Sequence, residues 1–334
     1  MADHVDDNLL DGDIFIYWGG RAPQHITHVL IHESVDEIEN NAFRDCIQLL
    51  QVDTHNGLRR IGKRALYRCK SLRRINLKSA VEIGEEAFYH CENLECVEFG
   101  DRLETIEDGA FYGCTSLKHL KLPSIITIER AAFIDCKSLA DVELSERLET
   151  IGVRAFWRCE GLQRIAVPLK RDLFSFDNVW SSYNQFHVCK QLTTVDLVGG
   201  IHKTVASFNM ECWRTETNAE INRINQVLPN THANDKTGII KRWMDSVIDK
   251  TDQYKAEHYR YVKEGVTLLE LALWKAKLDE KEEYECVGEK EDNCEAEGRT
   301  KKAKVDVESA RKDKRMICGA DMVISNVLPF LQLE

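Results

Sequence analysis

IEDGAFYGCTSLKHLKL, residues 106–122, sets a frame that returns along the chain. It reads IGEEAFYHCENLECVEF over 83–99, IERAAFIDCKSLADVEL over 128–144 and IGVRAFWRCEGLQRIAV over 151–167. Two more diverged copies are IENNAFRDCIQLLQVD (38–53) and IGKRALYRCKSLRRINL (61–77), where Leu66 stands in the phenylalanine position. The anchor cysteines fall at Cys46, Cys69, Cys91, Cys114, Cys136 and Cys159, with gaps alternating between 23 and 22 residues. Self-similarity at this period is the signature of a repeat architecture.

Within one unit the apolar period changes. Ile106, Ala110, Phe111 and Cys114 lie at i, i+4, i+5 and i+8, one face of a short helical stretch. Leu120 and Leu122 then alternate like a half-buried strand, with Leu117 at the bend between the two halves. One such unit cannot bury its apolar side alone. Stacked units share a core, and their strands pair in parallel about 4.8 Å apart. At the front ITHVLI (26–31) supplies only the strand half. At the back Cys189, Leu192, Val195 and Leu197 restore the strand half after a gap of 30 residues from Cys159, with Phe186 in place and the rest of the helical half lost. Atypical end units are what a capped stack requires.

The frame A-F-x-x-C-x-x-L-x-x-V-x-L on a 23-residue period resembles the BspA-like leucine-rich repeat family over roughly residues 26–200. The resemblance implies a curved solenoid with strands on its concave side and a role in protein–protein interaction or adhesion. Bacterial surface members of that family carry export signals. This chain resembles instead the intracellular-looking members of unicellular eukaryotes. The expected fold is thus an α/β solenoid, a leucine-rich repeat stack of parallel short strands with short helical or irregular convex segments, followed by an α-helical C-terminal region. The expected organisation is an N-terminal segment (1–22), the solenoid (23–202), a helical cap (203–278), a charged flexible segment (279–315) and a C-terminal helix (316–334).

A formal charge of -11 and a pI near 5.6 argue against a dedicated nucleic-acid or anionic-membrane binder. The opening MADHVDDNLLDGD lacks the basic and apolar regions of a secretory signal, and no run of about 18 apolar residues occurs. No N-x-S/T sequon is present. A cytoplasmic address is expected, with the nucleus as the other compartment because KKAK and RKDKR are basic clusters. Twelve cysteines are then read as reduced. In-register thiols spread along a line, so neither disulfides nor a zinc site fits the repeat cysteines as well as a column of buried, inert thiols. Cys96, at an outward strand position, and Cys286 and Cys294, in a charged segment, are the expected exceptions.

Two surfaces are candidate partner sites. The strand positions flanking each central apolar residue give Gln51, Asp53, Arg74, Asn76, Glu98, His119, Lys121, Asp141, Glu143 and Arg164. The position after the phenylalanine gives an outer-side stripe of Tyr67, Tyr89, Tyr112 and Trp157, with Ile134 among them, whose first reading is structural cover for the seam between turns. His32 and His55 occupy equivalent positions on adjacent strands. A nucleophile elbow, P-loop, dinucleotide fingerprint and zinc-ligand spacing are all missing from the sequence, so no catalytic, cofactor or metal residue is assigned. The expected function is a non-catalytic interaction scaffold with an unidentified protein partner. The alternatives are a cell-surface or adhesion-type protein and, behind it, an enzyme with its site at the solenoid–helix junction.

After residue 200 the pattern turns helical. Thr217 and Glu220 have capping-box spacing before Ile221, Ile224, Val227 and Leu228, and Pro229 follows. The next helix is expected to end at Gly265, and a second box, Thr267 with Glu270, to open TLLELALWKAKL, which is apolar nearly all round and expected to be buried. The insertion before the last unit carries Phe174, Phe176, Trp180 and Tyr183. The helices are expected to dock on that open end of the stack.

Overall fold

A computed structural model describes residues 9–10, 14–175, 184–198 and 211–288. Phe176, Trp180, Tyr183 and residues 289–334, which include most of the charged segment and the expected C-terminal helix, lie outside the described residues. The longer strands pair in parallel in two ladders. One runs through Ile14–Tyr17, His28–Ile31, Gln51–Asp53, Arg74–Leu77 and Cys96–Phe99, the other through His119–Lys121, Asp141–Glu143, Arg164–Val167 and Thr194–Leu197. Leu9–Leu10 pairs antiparallel with Ile14–Tyr17 and covers the first edge with a strand too short to template another.

Each full repeat also contributes a second, two-residue strand that the sequence pattern did not announce. Glu37–Ile38, Arg60–Ile61, Glu82–Ile83, Thr105–Ile106, Thr127–Ile128 and Thr150–Ile151 form a six-stranded parallel sheet, and every isoleucine in it is buried.

The half read as a short helical stretch is not a helix. Two residues per repeat hold left-handed φ angles, for example Arg64 (54°) and Arg68 (59°), Glu86 and His90 (both 53°), and Gly109 (62°) and Gly113 (71°). These residues break the segment into two tight turns. Their amides leave the local chain and bond to the following repeat: Arg64 N–H donates to Glu85 O (2.8 Å), Leu66 N–H to Ala87 O (2.8 Å) and Arg68 N–H to Tyr89 O (2.7 Å). The same three bonds recur at Glu86, Phe88 and His90, and again at Gly109, Phe111 and Gly113. Left-handed backbone costs about 1 kcal/mol or more per non-glycine residue, so it persists only where surrounding bonds demand it.

Columns of identical side chains fill the core. Phe88, Phe111, Phe133, Phe156 and Phe186 stack with centroids 4.9, 5.3, 5.2 and 5.8 Å apart and ring planes within 19° of parallel. The seven repeat cysteines are buried, and each thiol donates to a carbonyl one repeat back, as Cys114 Sγ does to Phe88 O at 3.2 Å. Burial raises their pKa values, that of Cys46 to about 11.

Two helices follow, α1 (Glu211–Val227) and α2 (Lys236–Gly288), joined by a 3-10 turn, Leu228–Asn230. The solenoid and the helical residues up to Gln253 form one compact unit, and residues from Tyr254 belong to a second. Three boundaries differ from the sequence reading. Thr217 is buried inside α1 and is not a cap, because the helix begins at Glu211. Gly265 does not end a helix, since α2 runs through it. Thr267 opens none, since its hydroxyl bonds back to Lys263 O (2.9 Å) within the same helix. The stretch expected to be buried is exposed: Leu268, Leu271 and Trp274 are 67, 61 and 70% accessible, with no described element packed over them.

In the first unit, the helices meet the last repeat with polar as well as apolar groups. Ile224, Leu228, Ile240, Trp243, Met244 and Val247 join the same core as Phe186, Leu192 and Val195. Thr237 Oγ1 accepts the Phe186 N–H at 3.0 Å, Asn225 Oδ1 accepts the Val195 N–H at 2.8 Å, and the Lys236 ammonium donates to Lys190 O (3.1 Å) and Leu192 O (2.5 Å). In interior repeats the equivalent of the Phe186 amide bonds to the next repeat, as Phe133 N–H does to Ala155 O. The equivalent of Lys190 O likewise receives the next repeat's amide, as Glu160 O does from Gln191 N–H. Lys236 is almost fully buried, and desolvation lowers its pKa from the usual lysine value.

Candidate functional site

Strand alternation puts one set of side chains into the core and the other outward. Register brings His28, Gln51, Arg74 and Cys96 into one column, with His119, Asp141, Arg164 and Thr194 forming its counterpart on the second ladder. The parallel column holds Leu30 and Asp53, then Asn76 and Glu98, then Lys121, Glu143, Ala166 and Asp196. Gln51, Asp53, Arg74, Asn76, Cys96, Glu98, His119 and Lys121 are exposed, whereas Asp141, Glu143 and Arg164 are half-buried. All ten residues assigned to this face therefore lie on it. The ladder is interrupted between Cys96–Phe99 and His119–Lys121, a break that no sequence feature signalled.

Most charges on the face are neutralised by a neighbouring rung. Lys78 pairs with Glu98 (2.7 Å) and Lys118 with Glu95 (2.8 Å), and these ammonium groups hold both carboxyls below the usual glutamate range. Lys121 pairs with Glu143 (3.4 Å). Arg164 reaches Asp141 (2.9 Å) and Asp196 (2.7 Å) at once, and those hydrogen bonds raise its pKa further. Gln51 Nε2 donates to Asp53 Oδ1 at 2.7 Å. Arg74, on the next-to-last strand of the first ladder, makes no ion pair among the described residues, nor does the adjacent Arg73. Exposed pairs of this kind contribute about 0–1 kcal/mol each. They leave Arg73, Arg74 and Asp53 without an ion pair among the described residues, although the two arginines add to the field that lowers the Glu95 carboxyl.

The outer-side stripe lies on the turn side. Tyr67, Tyr89 and Tyr112 are half-buried and stack at 4.9 and 4.7 Å, and the guanidiniums of Arg44, Arg64 and Arg68 sit 5.1, 5.8 and 5.2 Å from the Tyr67 ring. Burial raises the Tyr89 pKa. Trp157 is separated from this stack by the buried Ile134 and has its own cations, Arg154 and Arg158. The stripe is therefore two clusters rather than one. His32 and His55 have separate partners: His32 stacks on Trp18, and His55 Nε2 bonds to Val35 O at 2.9 Å. Among the described residues no three His, Cys, Asp or Glu side chains converge as metal ligands.

A stack of parallel strands with one outward, mixed-charge strand face defines a leucine-rich repeat solenoid. The BspA type leucine-rich repeat region is matched with six copies over residues 22–124 and 81–212, and the chain belongs to that family. Its members are generally non-catalytic scaffolds of protein-interaction or surface type. Among solved structures, the chain is similar to a leucine-rich repeat protein of T. pallidum at 28% identity, covering 54% of this chain and 82% of that one, with a TM-score of 0.46. It is similar to a leucine-rich repeat protein of Bacteroides ovatus ATCC 8483 at 26% identity, covering 52% of this chain and 55% of that one, with a TM-score of 0.41. No curated protein matches the sequence. Among the described residues no helix is long and apolar enough to cross a membrane.

Proposed function

We propose that the chain is a non-catalytic protein–protein interaction scaffold whose partner docks on the strand face around Arg74. The observation that carries this reading is the charge pattern: most acids and bases pair with a neighbouring rung, while Arg74 is exposed and, with the adjacent Arg73, makes no ion pair among the described residues. Arginine is enriched at interface hot spots because its planar fork pairs bidentately with a carboxylate. The charged groups pair off along the face instead of converging on one point, which favours recognition over chemistry. The binding test compares Arg74→Glu with Tyr89→Ala in affinity capture from native cells followed by mass spectrometry. A partner kept by Tyr89→Ala and lost by Arg74→Glu supports the strand face; the reverse pattern refutes it.

In the same reading the helical residues 211–253 cap the solenoid. Thr237, Asn225 and Lys236 offer the last repeat the hydrogen bonds that a further repeat would have supplied, and an open edge left without them would expose both apolar surface and unpaired backbone groups. Six large apolar residues from the helices join the core, which at about 1.5–3 kcal/mol each amounts to about 9–18 kcal/mol of gross burial before ordering costs. A chain ending near residue 200 is expected to lose cooperative folding; full retention of stability would refute the cap. A reducing compartment, the cytoplasm first, suits a ladder of thiols that act as hydrogen-bond donors.

A further inference from the structure

Between α1 and the first turns of α2 lies a cleft of about 240 Å³ lined by Arg223, Ile224, Val227, Ile239, Arg242 and Trp243. Its floor is apolar. Ile224 and Trp243 are buried, and the Trp243 indole N–H is already committed to Glu220 O at 3.1 Å, so the floor offers a ligand little to hydrogen-bond. Val227 on the wall is 43% exposed. The rim is positive. Arg223 is matched by Glu220 at 2.6 Å, but the same carboxylate also takes Lys250 at 2.6 Å, so one acid serves two cations. Arg242 is exposed and makes no ion pair among the described residues.

We propose that this cleft binds a short segment of a partner polypeptide in which an apolar side chain stands beside a carboxylate. The side chain lies over Ile224 and Trp243, and the carboxylate pairs with Arg242. A neutral apolar ligand would leave Arg242 unmatched. A phosphate-rich ligand would gain nothing from the apolar floor and would seek more cations than the rim supplies. With Val227 and Arg242 exposed the cleft is open to solvent, which suits a chain segment better than a small enclosed molecule. The proposal rests on the scaffold reading but uses a surface separate from Arg74, so the two can fail independently.

The test uses the full chain and a fluorescent, end-blocked octapeptide with a central phenylalanine flanked by glutamates, read by anisotropy. Replacing the glutamates by glutamine, or the phenylalanine by alanine, is expected to weaken binding about tenfold. Arg242→Gln should erase the preference for glutamate over glutamine, Val227→Asp should remove binding, and Lys137→Gln, at an exposed lysine outside both candidate surfaces, should change nothing. Thermal unfolding checks that each variant folds; should Val227→Asp fail to fold, the exposed Arg242→Gln carries the test. Free 4-phenylbutyrate and anionic phosphatidylserine vesicles serve as competitors. If either displaces the peptide while binding more tightly than it, the partner is a small acid or a membrane and the proposal falls. It also falls if the peptides bind equally, if Arg242→Gln keeps the discrimination, or if nothing saturates below about 1 mM.

Discussion

Thr237→Val isolates one bond between the helices and the end of the solenoid. Thr237 is 1% exposed and the Phe186 amide it serves lies on a residue that is 0% exposed, with 3.0 Å between Oγ1 and N. Valine keeps the shape and removes the acceptor, so a buried N–H is left without a partner. Such a group costs about 1–3 kcal/mol, a large share of a net stability of roughly 5–15 kcal/mol. Thr251→Val is the control. Thr251 is also buried, but its hydroxyl donates to Val247 O (2.8 Å), a carbonyl that the helix ladder already serves, so its loss strands no group and should cost less than about 1 kcal/mol. Urea denaturation gives the two free energies. Hydrogen exchange gives the location, with faster exchange expected at Phe186 and Val195 and unchanged protection at Phe88 and Phe111, because repeat stacks transmit instability mainly to neighbours. A Thr237→Val chain within about 0.5 kcal/mol of wild type, or indistinguishable from Thr251→Val, would refute the substitution-for-a-repeat argument.

Thiol reactivity gives a second expectation: with Cys212, Cys286, Cys294 and Cys318 replaced by serine, Cys96 labels first and the seven buried cysteines only after denaturation. Cys46, raised from 9.0 to about 11, carries roughly one hundredth of the usual thiolate near pH 8, and fast native labelling of six or more thiols would contradict the ladder. Phe111→Ala, which empties a site stacked between Phe88 and Phe133, should cost about 3–5 kcal/mol by calorimetry or denaturant melts, and a loss below about 1 kcal/mol would mean that the column is not tightly packed. Burial lowers the pKa values of His90 and His187 below the ordinary 6.5, so the folded state binds fewer protons than the unfolded one between the folded pKa and 6.5. Stability should rise with pH through that window and fall on acidification, and His90→Gln should flatten the slope measured in urea melts between pH 5 and about 7.5; an unchanged slope would exclude His90.

The solenoid was legible because its apolar residues repeat in register: Ile106, Phe111, Cys114, Leu117 and Leu120 each sit in a column that recurs in every copy. Its turn half, expected to be short helical or irregular, takes the irregular form, which the sequence left open because spacing reports which side chains face inward, not the backbone between them. Left-handed positions usually announce themselves as glycine or asparagine, yet Arg64, Arg68, Glu86, His90, Ala131, Arg154 and Arg158 all adopt them here. The bonds that hold them come from the next repeat and are invisible in a single copy. The outward strand residues were legible by alternation alone. Arg74's lack of a partner was not, because Lys78 with Glu98 and Lys118 with Glu95 pair across 20 and 23 positions of sequence. Trp274 shows the opposite failure, since apolar composition says that a helix face seeks cover and not what covers it.

The cysteine ladder and the end of the stack follow from the same accounting of backbone groups. Phe88 O accepts the Cys91 amide at 3.1 Å from its own repeat and the Cys114 thiol at 3.2 Å from the next. A carbonyl has two lone pairs, and a buried one left half-used forfeits part of its bonding. Alanine in place of Cys114 would withdraw one donor, and the shorter serine side chain would have to reach the same oxygen from further away. Cysteine is small enough for the bend and long enough to reach back one repeat. Each repeat therefore completes the backbone of the one before it, and among the described residues the last has no successor to do so. At Phe186, Lys190 and Val195 the debt passes to Thr237, Lys236 and Asn225. In the capping proposal the stack stops there because three side chains meet the bonds that another turn of chain would otherwise have made.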